Sequence, residues 1–255
     1  MKTKYILAIS GNDIFSGGGL YADLATYTTH HLHGFVAVTC LTAMTDKGFE
    51  VFATDSSVFS HQLKSLKDVP FSGIKLGLLP NVEIAELALA FVKEHADIPI
   101  VLDPVLVCKE NHDVEVSVLR DELLKFLPYV TIITPNLVEA ELLSQKSIQT
   151  LEDMKAVAKE LHELGAKNVV IKGGNRFSQT VAVDVFYDGQ DFHVLENPVL
   201  NHNNIGAGCT FASSIASQLL LGNPVLEAVQ FSKNFVYQAI LHSDQYGVKQ
   251  HYDKT

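Results

Sequence analysis

The sequence predicts an α/β fold in one domain spanning 1–255: a mostly parallel central sheet with helices on both faces. Three observations carry this. Short apolar runs alternate along the chain with amphipathic stretches, the pattern of strand–helix–strand units that lie side by side. The 255 residues are 47% hydrophobic, enough for one sizeable core. No internal repeat, low-complexity segment or Pro/Ser-rich linker divides them.

Taken in order, Tyr5–Ser10 reads as a buried strand, followed by a glycine-rich turn and a helix from about Gly18 to His31. Phe35–Cys40 is the second strand, and Phe49–Thr54 the third, at an edge. A helix over Ser57–Lys67 leads to the strand Gly73–Leu78, and Asn81 is placed to cap a helix that reaches His95. Pro99–Asp103 and Val130–Thr134 are strands, separated by a polar loop and a helix near Val116–Phe126. A short helix from Leu137, a helix over Leu151–Leu164 and the strand Asn168–Lys172 come next. Val181–Tyr187 and Asp191–Glu196 read as a hairpin turning at Asp188-Gly189 with type I′ geometry. Helices over Ala207–Leu221 and Pro224–Leu241 close the series.

Composition narrows the function. A formal charge of −10 opposes general binding to nucleic acid, whose phosphates an acidic surface repels. It does not oppose binding of a phosphate-bearing small molecule, because backbone dipoles and a bound cation dominate locally. No stretch approaches the roughly 18 apolar residues that cross a bilayer. The first apolar run is too short for the core of a signal peptide. Cys40, Cys108 and Cys209 lack metal-ligand spacing, and a cytoplasmic protein with free thiols is expected. His30, His31 and His33 have no carboxylate or cysteine at ligand spacing and read as an ordinary helix end.

In a parallel sheet, ligands bind beyond the carboxyl ends of the strands. The strongest signal at that edge is Asn204-Ile205-Gly206-Ala207-Gly208-Cys209-Thr210. Gly206 and Gly208 allow close backbone approach, and the helix that begins here offers free amides and a positive dipole end to a phosphate. A thiol at this position is expected to have a depressed pKa. The alternative is a glycine-softened helix start with a small buried cysteine. Asn136 and Glu139, three apart at another helix start, can hold Mg²⁺-bound water and phosphate oxygens, or they can form a capping box. Asp103 ends one strand and Lys172-Gly173-Gly174 another. Carboxylates for a metal, a lysine for phosphate and an anion-binding helix start, all on one edge, are the parts phosphoryl transfer needs. The first loop, Ser10-Gly11-Asn12-Asp13 through Gly18-Gly19, has no Lys-Ser/Thr after its glycines and is not a Walker sequence. It suits a small organic substrate held partly by backbone groups.

Together these motifs resemble the ribokinase superfamily, within it the branch shared by pyridoxal kinases and hydroxymethylpyrimidine kinases. The resemblance runs from Ile6 to about Ile240. It rests on the Ser10–Gly19 loop, Lys75-Leu76-Gly77, Asp103-Pro104, Thr134-Pro135-Asn136-Leu137-Val138-Glu139, Lys172-Gly173-Gly174 and Gly206-Ala207-Gly208-Cys209. It implies a ribokinase-like three-layer sandwich and an ATP-dependent kinase that uses Mg²⁺, with monovalent-cation activation left open. ATP would be bound by Asn136, Glu139, Lys172, Gly173, Gly206 and Gly208, with metal at Asp103 and Glu139. Substrate would lie against Ser10, Gly11, Asp13, Gly18, Gly19, Met44, Leu78 and Cys209. The catalytic loop would be Gly206, Ala207, Gly208 and Cys209, under a lid at 104–115 that contains Cys108 and His112. Relatives imply a homodimer, with the Phe49–Thr54 region as a contact.

The superfamily's usual aspartate is replaced by Cys209, which disfavours a sugar or nucleoside kinase. Met44 stands where pyrimidine kinases of the branch have a glutamine that pairs with the pyrimidine ring. With the second cysteine, Cys108, this implies pyridoxal as the substrate. The runners-up are a hydroxymethylpyrimidine kinase of thiamin synthesis, an enzyme that accepts both substrates, and a non-catalytic binding protein that keeps the fold.

Overall fold

The computed structural model describes residues 3–106 and 113–251. Cys108 and His112 lie outside them, and the segment expected as a lid ends inside a helix that begins at Asp113. The strands are β1 (Tyr5–Ser10), β2 (His33–Val38), β3 (Cys40–Thr45), β4 (Gly48–Ala53), β5 (Phe71–Leu76), β6 (Ile100–Leu102), β7 (Ile132–Ile133), β8 (Val169–Lys172), β9 (Val181–Tyr187) and β10 (Phe192–Pro198). The helices are α1 (Gly19–Thr29), α2 (Ser56–Leu66), α3 (Val82–Glu94), α4 (Asp113–Leu124), α5 (Leu137–Ser144), α6 (Leu151–Glu163), α7 (Ala207–Leu221) and α8 (Val225–Leu241). Among the described residues no helix is long and apolar enough to cross a membrane.

Eight strands form one sheet in the order β10-β9-β8-β7-β6-β5-β1-β2. The six from β8 to β2 pair in parallel, and β9 and β10 add an antiparallel end. Strand alternation sorts the core into two halves. Leu7 and Ile9 of β1 point into one cluster with Phe59, Ile84, Leu119, Ala140 and Met154, which come from α2 to α6. Ile6 and Ala8 point the other way, with Tyr27, Phe211, Ile215 and Val229 of α1, α7 and α8. A sheet covered on both sides explains why its strands read as continuous apolar runs.

Helix starts follow local chemistry. Asn81 caps α3 by accepting from the Ile84 amide, as its position predicts. Asp55 caps α2, and Thr150 with Asp153 makes a capping box for α6.

The structure corrects the sequence reading at three places. Cys40–Thr45 is a strand, and it pairs with β4 in a separate antiparallel ribbon, so Phe49–Thr54 is not an edge of the main sheet. The hairpin turn is not type I′. Tyr187 pairs with Phe192 across a four-residue loop whose only positive φ is at Gly189. The Asp188 carboxylate closes that loop by accepting from the Gln190 and Asp191 amides. The last strand also runs two residues further, to Pro198.

Candidate active site

Ser10, Leu78, Asp103, Asn136 and Lys172 all emerge at the carboxyl edge, at or just after the ends of β1, β5, β6, β7 and β8. Two backbone connections align them. The Asp103 amide donates to Leu76, and the Lys172 amide donates to Pro135, which sets Lys172 beside Asn136.

Lys172 Nζ lies 2.9 Å from Asp103 Oδ1, with Thr134 Oγ1 at 3.3 Å on the same oxygen. Burial opposes ionisation of Asp103, but Lys172 and Lys75 outweigh it and hold the carboxyl below its ordinary range. Burial also opposes the charge on Lys172, and Asp103 and Glu139 overcome it, so the ammonium is raised. Glu139 is pushed up to about 7, first by burial and then by Asp103, against the pull of Lys172 and the Asn136 amide.

Asn136 and Glu139 do form the capping box. Asn136 Oδ1 accepts from the Glu139 amide at 2.9 Å, and Glu139 Oε2 accepts from the Asn136 amide at 2.8 Å. The cap fixes where the Glu139 carboxylate stands without using up its lone pairs. Two buried carboxylates at one edge, one of them raised chiefly by burial, suit a divalent cation, and Mg²⁺ needs only one or two carboxylates beside phosphate and water.

Gly206 caps α7 with φ +84°, a conformation that favours glycine. It is also pressed so close to the first loop that an added methyl would stand 1.6 Å from the Gly17 carbonyl oxygen. This contact brings the two glycine-rich loops together. A methyl on Gly18 would lie 3.7 Å from Cys209 Sγ, and one on Gly208 3.3 Å from Lys172 Nζ. Ala207 opens α7 in the same turn. The Gly18–Gly19 turn thus stands against the Cys209 sulfur.

The thiol does not have the depressed pKa expected from its place at a helix start. Burial pushes Cys209 up to about 11; Lys75 and the Gly19 amide pull against this, while Asp103 and Asp23 add to it. At neutral pH it is a thiol.

The other predicted substrate contacts are placed unevenly. Ser10 is buried at the end of β1, and Gly11 lies against Cys40 and Leu78. Asp13 braces its own loop, accepting from the Phe15 and Gly18 amides at 3.0 and 2.8 Å. The ribbon is tied to this loop through the Asn12 amide on Cys40 and the Ile14 amide on Thr42 Oγ1. Met44 is 58% exposed on that ribbon and is not packed into the cluster. Leu78 lines a small open pocket of about 90 Å³ with Val51, Ala53, Leu79, Pro80 and Val105.

Sequence reasoning missed two buried ion pairs. Lys75 Nζ meets Asp23 Oδ1 at 2.8 Å, both side chains fully buried. Lys233 meets Asp184 at 2.8 Å, and Asp184 also accepts from the Gly173 amide at 3.0 Å. The available signal was a lysine between Ile74 and Leu76 in an apolar strand, because a buried charge requires a partner.

Comparison with known proteins places the chain among vitamin kinases. A family model described as phosphomethylpyrimidine kinase matches residues 13–253. The chain is 38% identical to pyridoxine kinase of Bacillus subtilis strain 168, over 95% of this chain and 92% of that one. It is 35% identical to hydroxymethylpyrimidine/phosphomethylpyrimidine kinase of Aquifex aeolicus, over 94% and 96%. Among solved structures, an ADP complex of Bacillus subtilis pyridoxal kinase superposes with a TM-score of 0.91 at 36% identity, covering 98% of both chains.

Proposed function

The chain belongs to the phosphomethylpyrimidine kinase family, with a ribokinase-like three-layer fold, and from that premise we propose that it is a pyridoxal kinase. It would transfer the γ-phosphoryl group of ATP to the 5′-hydroxymethyl group of pyridoxal, giving pyridoxal 5′-phosphate in vitamin B6 salvage, and to that of pyridoxine and pyridoxamine, giving their own 5′-phosphates. One observation carries the transfer chemistry: Cys209, on the anion-binding helix start, lies against the Gly18–Gly19 turn, while Lys172 reaches the same loop at Gly208.

In this reading Lys172 and the amides at Gly206–Cys209 hold phosphate oxygens and stabilise charge on the transferring group, and Gly173 continues that cradle. Asp103 and Glu139 would hold Mg²⁺, which when bound neutralises phosphate charge. The hydroxymethyl oxygen attacks the γ-phosphorus as the bond to the β-phosphate oxygen breaks. Because Cys209 rests as a thiol, its role is to orient the hydroxyl through a hydrogen bond. A loose transition state needs little prior deprotonation, so the hydroxyl proton can leave late, onto an oxygen of the phosphoryl group being transferred.

The choice of pyridoxal rests on Met44, which cannot make the paired hydrogen bonds that a glutamine gives a pyrimidine edge, together with the second cysteine, Cys108. Hydroxymethylpyrimidine is the second reading, supported by the 35% identity to the Aquifex enzyme. A coupled ATPase assay with Mg²⁺ and pyridoxal, pyridoxine or hydroxymethylpyrimidine decides between them. Strong turnover on pyridoxal with weak turnover on the pyrimidine is expected. The reverse order overturns the substrate choice, and no vitamer-dependent ATP consumption overturns the enzyme reading.

We also propose a homodimer. The ribbon exposes Leu41 and Phe52, directly opposite each other across its strands, an apolar pair suited to a second copy.

A further inference from the structure

A buried cluster lies beneath the transfer centre. Lys75 Nζ sits 2.8 and 3.1 Å from the two oxygens of Asp23, and Ser213 Oγ donates to Asp23 Oδ1 at 2.6 Å. The three come from β5, α1 and α7, and Lys75, Asp23 and Ser213 are all fully buried. The chain makes room for the ammonium at the carboxyl edge. A methyl on Gly77 would stand 2.8 Å from Lys75 Nζ and 2.3 Å from Ser10 Oγ, so the cation points towards the first substrate loop.

A buried ion pair is weak evidence for stability, since apolar side chains of similar volume often serve as well. Its place calls for another explanation. Although burial opposes its charge, Lys75 is held well above its ordinary value by Asp23, with Cys209 and Asp103 contributing. Burial pushes Asp23 above the usual carboxylate range, against Lys75 and Ser213.

We propose that Lys75, held by Asp23 and Ser213, is a positioning residue of the transfer centre, a fixed buried positive charge that serves Cys209 and Asp103 from beneath the carboxyl edge. It rests on the kinase reading above for its purpose, but not for its geometry. The charged and titratable groups facing Cys209 are Lys75 from β5, Asp23 and Tyr27 from α1, Asp103 after β6 and Lys172 from β8. Ser213 stands four residues after Cys209 on α7 and Asp23 four after Gly19 on α1, so the cluster lies one helical turn beneath the thiol, and of these groups Lys75 pulls the thiol down most. It thus favours negative charge where the hydroxyl is activated, and it needs no movement to do so.

The test uses the full chain without ligands. The rate of alkylation of Cys209 by iodoacetamide is followed at pH 8.5 by mass spectrometry of the peptide that carries it. The rate follows the thiolate fraction, so a change of one pKa unit reads as about tenfold. The variant is K75M/D23N, which removes both charges and leaves none unpaired in the core. K75Q/D23N, which keeps hydrogen bonding between the two amides, stands in if the first does not melt cooperatively. Alkylation about tenfold slower than wild type is expected. Turnover should fall with it, while KM for ATP stays within about twofold, since a group serving only the transition state lowers kcat alone.

A merely structural pair gives the opposite sign, because a loosened core admits the reagent and alkylation speeds up. An unchanged or faster rate in a folded variant overturns the proposal. The alkylation measurement needs no substrate, so its result stands apart from the vitamer assay: failure of wild-type turnover would sink the enzyme reading alone.

Discussion

At the scale of single residues, Cys209 shows how burial overrides a favourable local dipole. The helix start was legible in Gly206-Ala207-Gly208-Cys209, but the degree of enclosure was not, and enclosure sets the sign. Wild-type Cys209 should therefore be alkylated ever faster as pH rises from 7 to 10, with no plateau near the ordinary cysteine value. A plateau by pH 9 would show that the helix start prevails after all. Replacing Cys209 with alanine is expected to lower kcat by roughly 10²–10³, the usual loss for a transition-state contact. ATP binding, read by calorimetry, should be nearly intact.

Glu139 makes a second residue-level prediction. Its folded-state value near 7 lies above the reference 4.5, so ionising it within the fold is unfavourable. The stability linked to its proton is fully present below about pH 4.5 and is lost as pH rises through about 7. E139Q keeps a neutral group that can still accept from Asn136. It should melt above wild type at pH 8, with the two converging at pH 5. Mg²⁺ should narrow the gap at pH 8 by stabilising wild type only. A melting point for E139Q at or below wild type at pH 8 would contradict the assignment.

At the scale of elements, the alternation of apolar and amphipathic segments made the parallel strands legible, because each is covered on both faces and reads as an unbroken apolar run. It also placed Ser10, Asp103, Asn136, Glu139, Lys172 and Gly206 on one edge. The ribbon strand over Cys40–Thr45 was not legible: Leu41 and Met44 are exposed while Cys40 and Thr42 are buried, and the ribbon does not join the main sheet. The ion pairs were hidden for a different reason. Lys75 and Asp23 lie 52 positions apart, Lys233 and Asp184 49 apart, and nothing local links them. The second pair ties α8 to β9 and to the Gly173 amide just past Lys172. K233M leaves Asp184 buried without its cation and should destabilise the protein by about 3–5 kcal/mol, read by chemical denaturation. K233M/D184N should recover much of that loss. If the double variant is no better than the single, the coupling assigned to the pair is wrong.

At the scale of the whole molecule, the ribbon is set apart from the eight-stranded sheet, yet it is tied to the substrate loop through Cys40 and Thr42. If two copies pair through Leu41 and Phe52, assembly also steadies the loop that is to hold the vitamer. L41E/F52E should run as a monomer in light scattering, with KM for pyridoxal raised more than KM for ATP. A variant that stays dimeric would move the interface elsewhere on the molecule.

The contact of Gly17 with Gly206 has one more consequence. Tyr246 and Gly247 close on the same spot: a methyl on Gly17 would stand 2.4 Å from the Tyr246 carbonyl oxygen, and one on Gly247 2.9 Å from Gly17 Cα. Residues 17, 206 and 247, far apart in sequence, are thus clasped at one point beside Cys209. During synthesis the nascent chain can form its early strands before this clasp, which waits until Gly247 has left the ribosome. In refolding, catalytic competence should lag behind the far-ultraviolet signal of the sheet, because the longest loop closures come last.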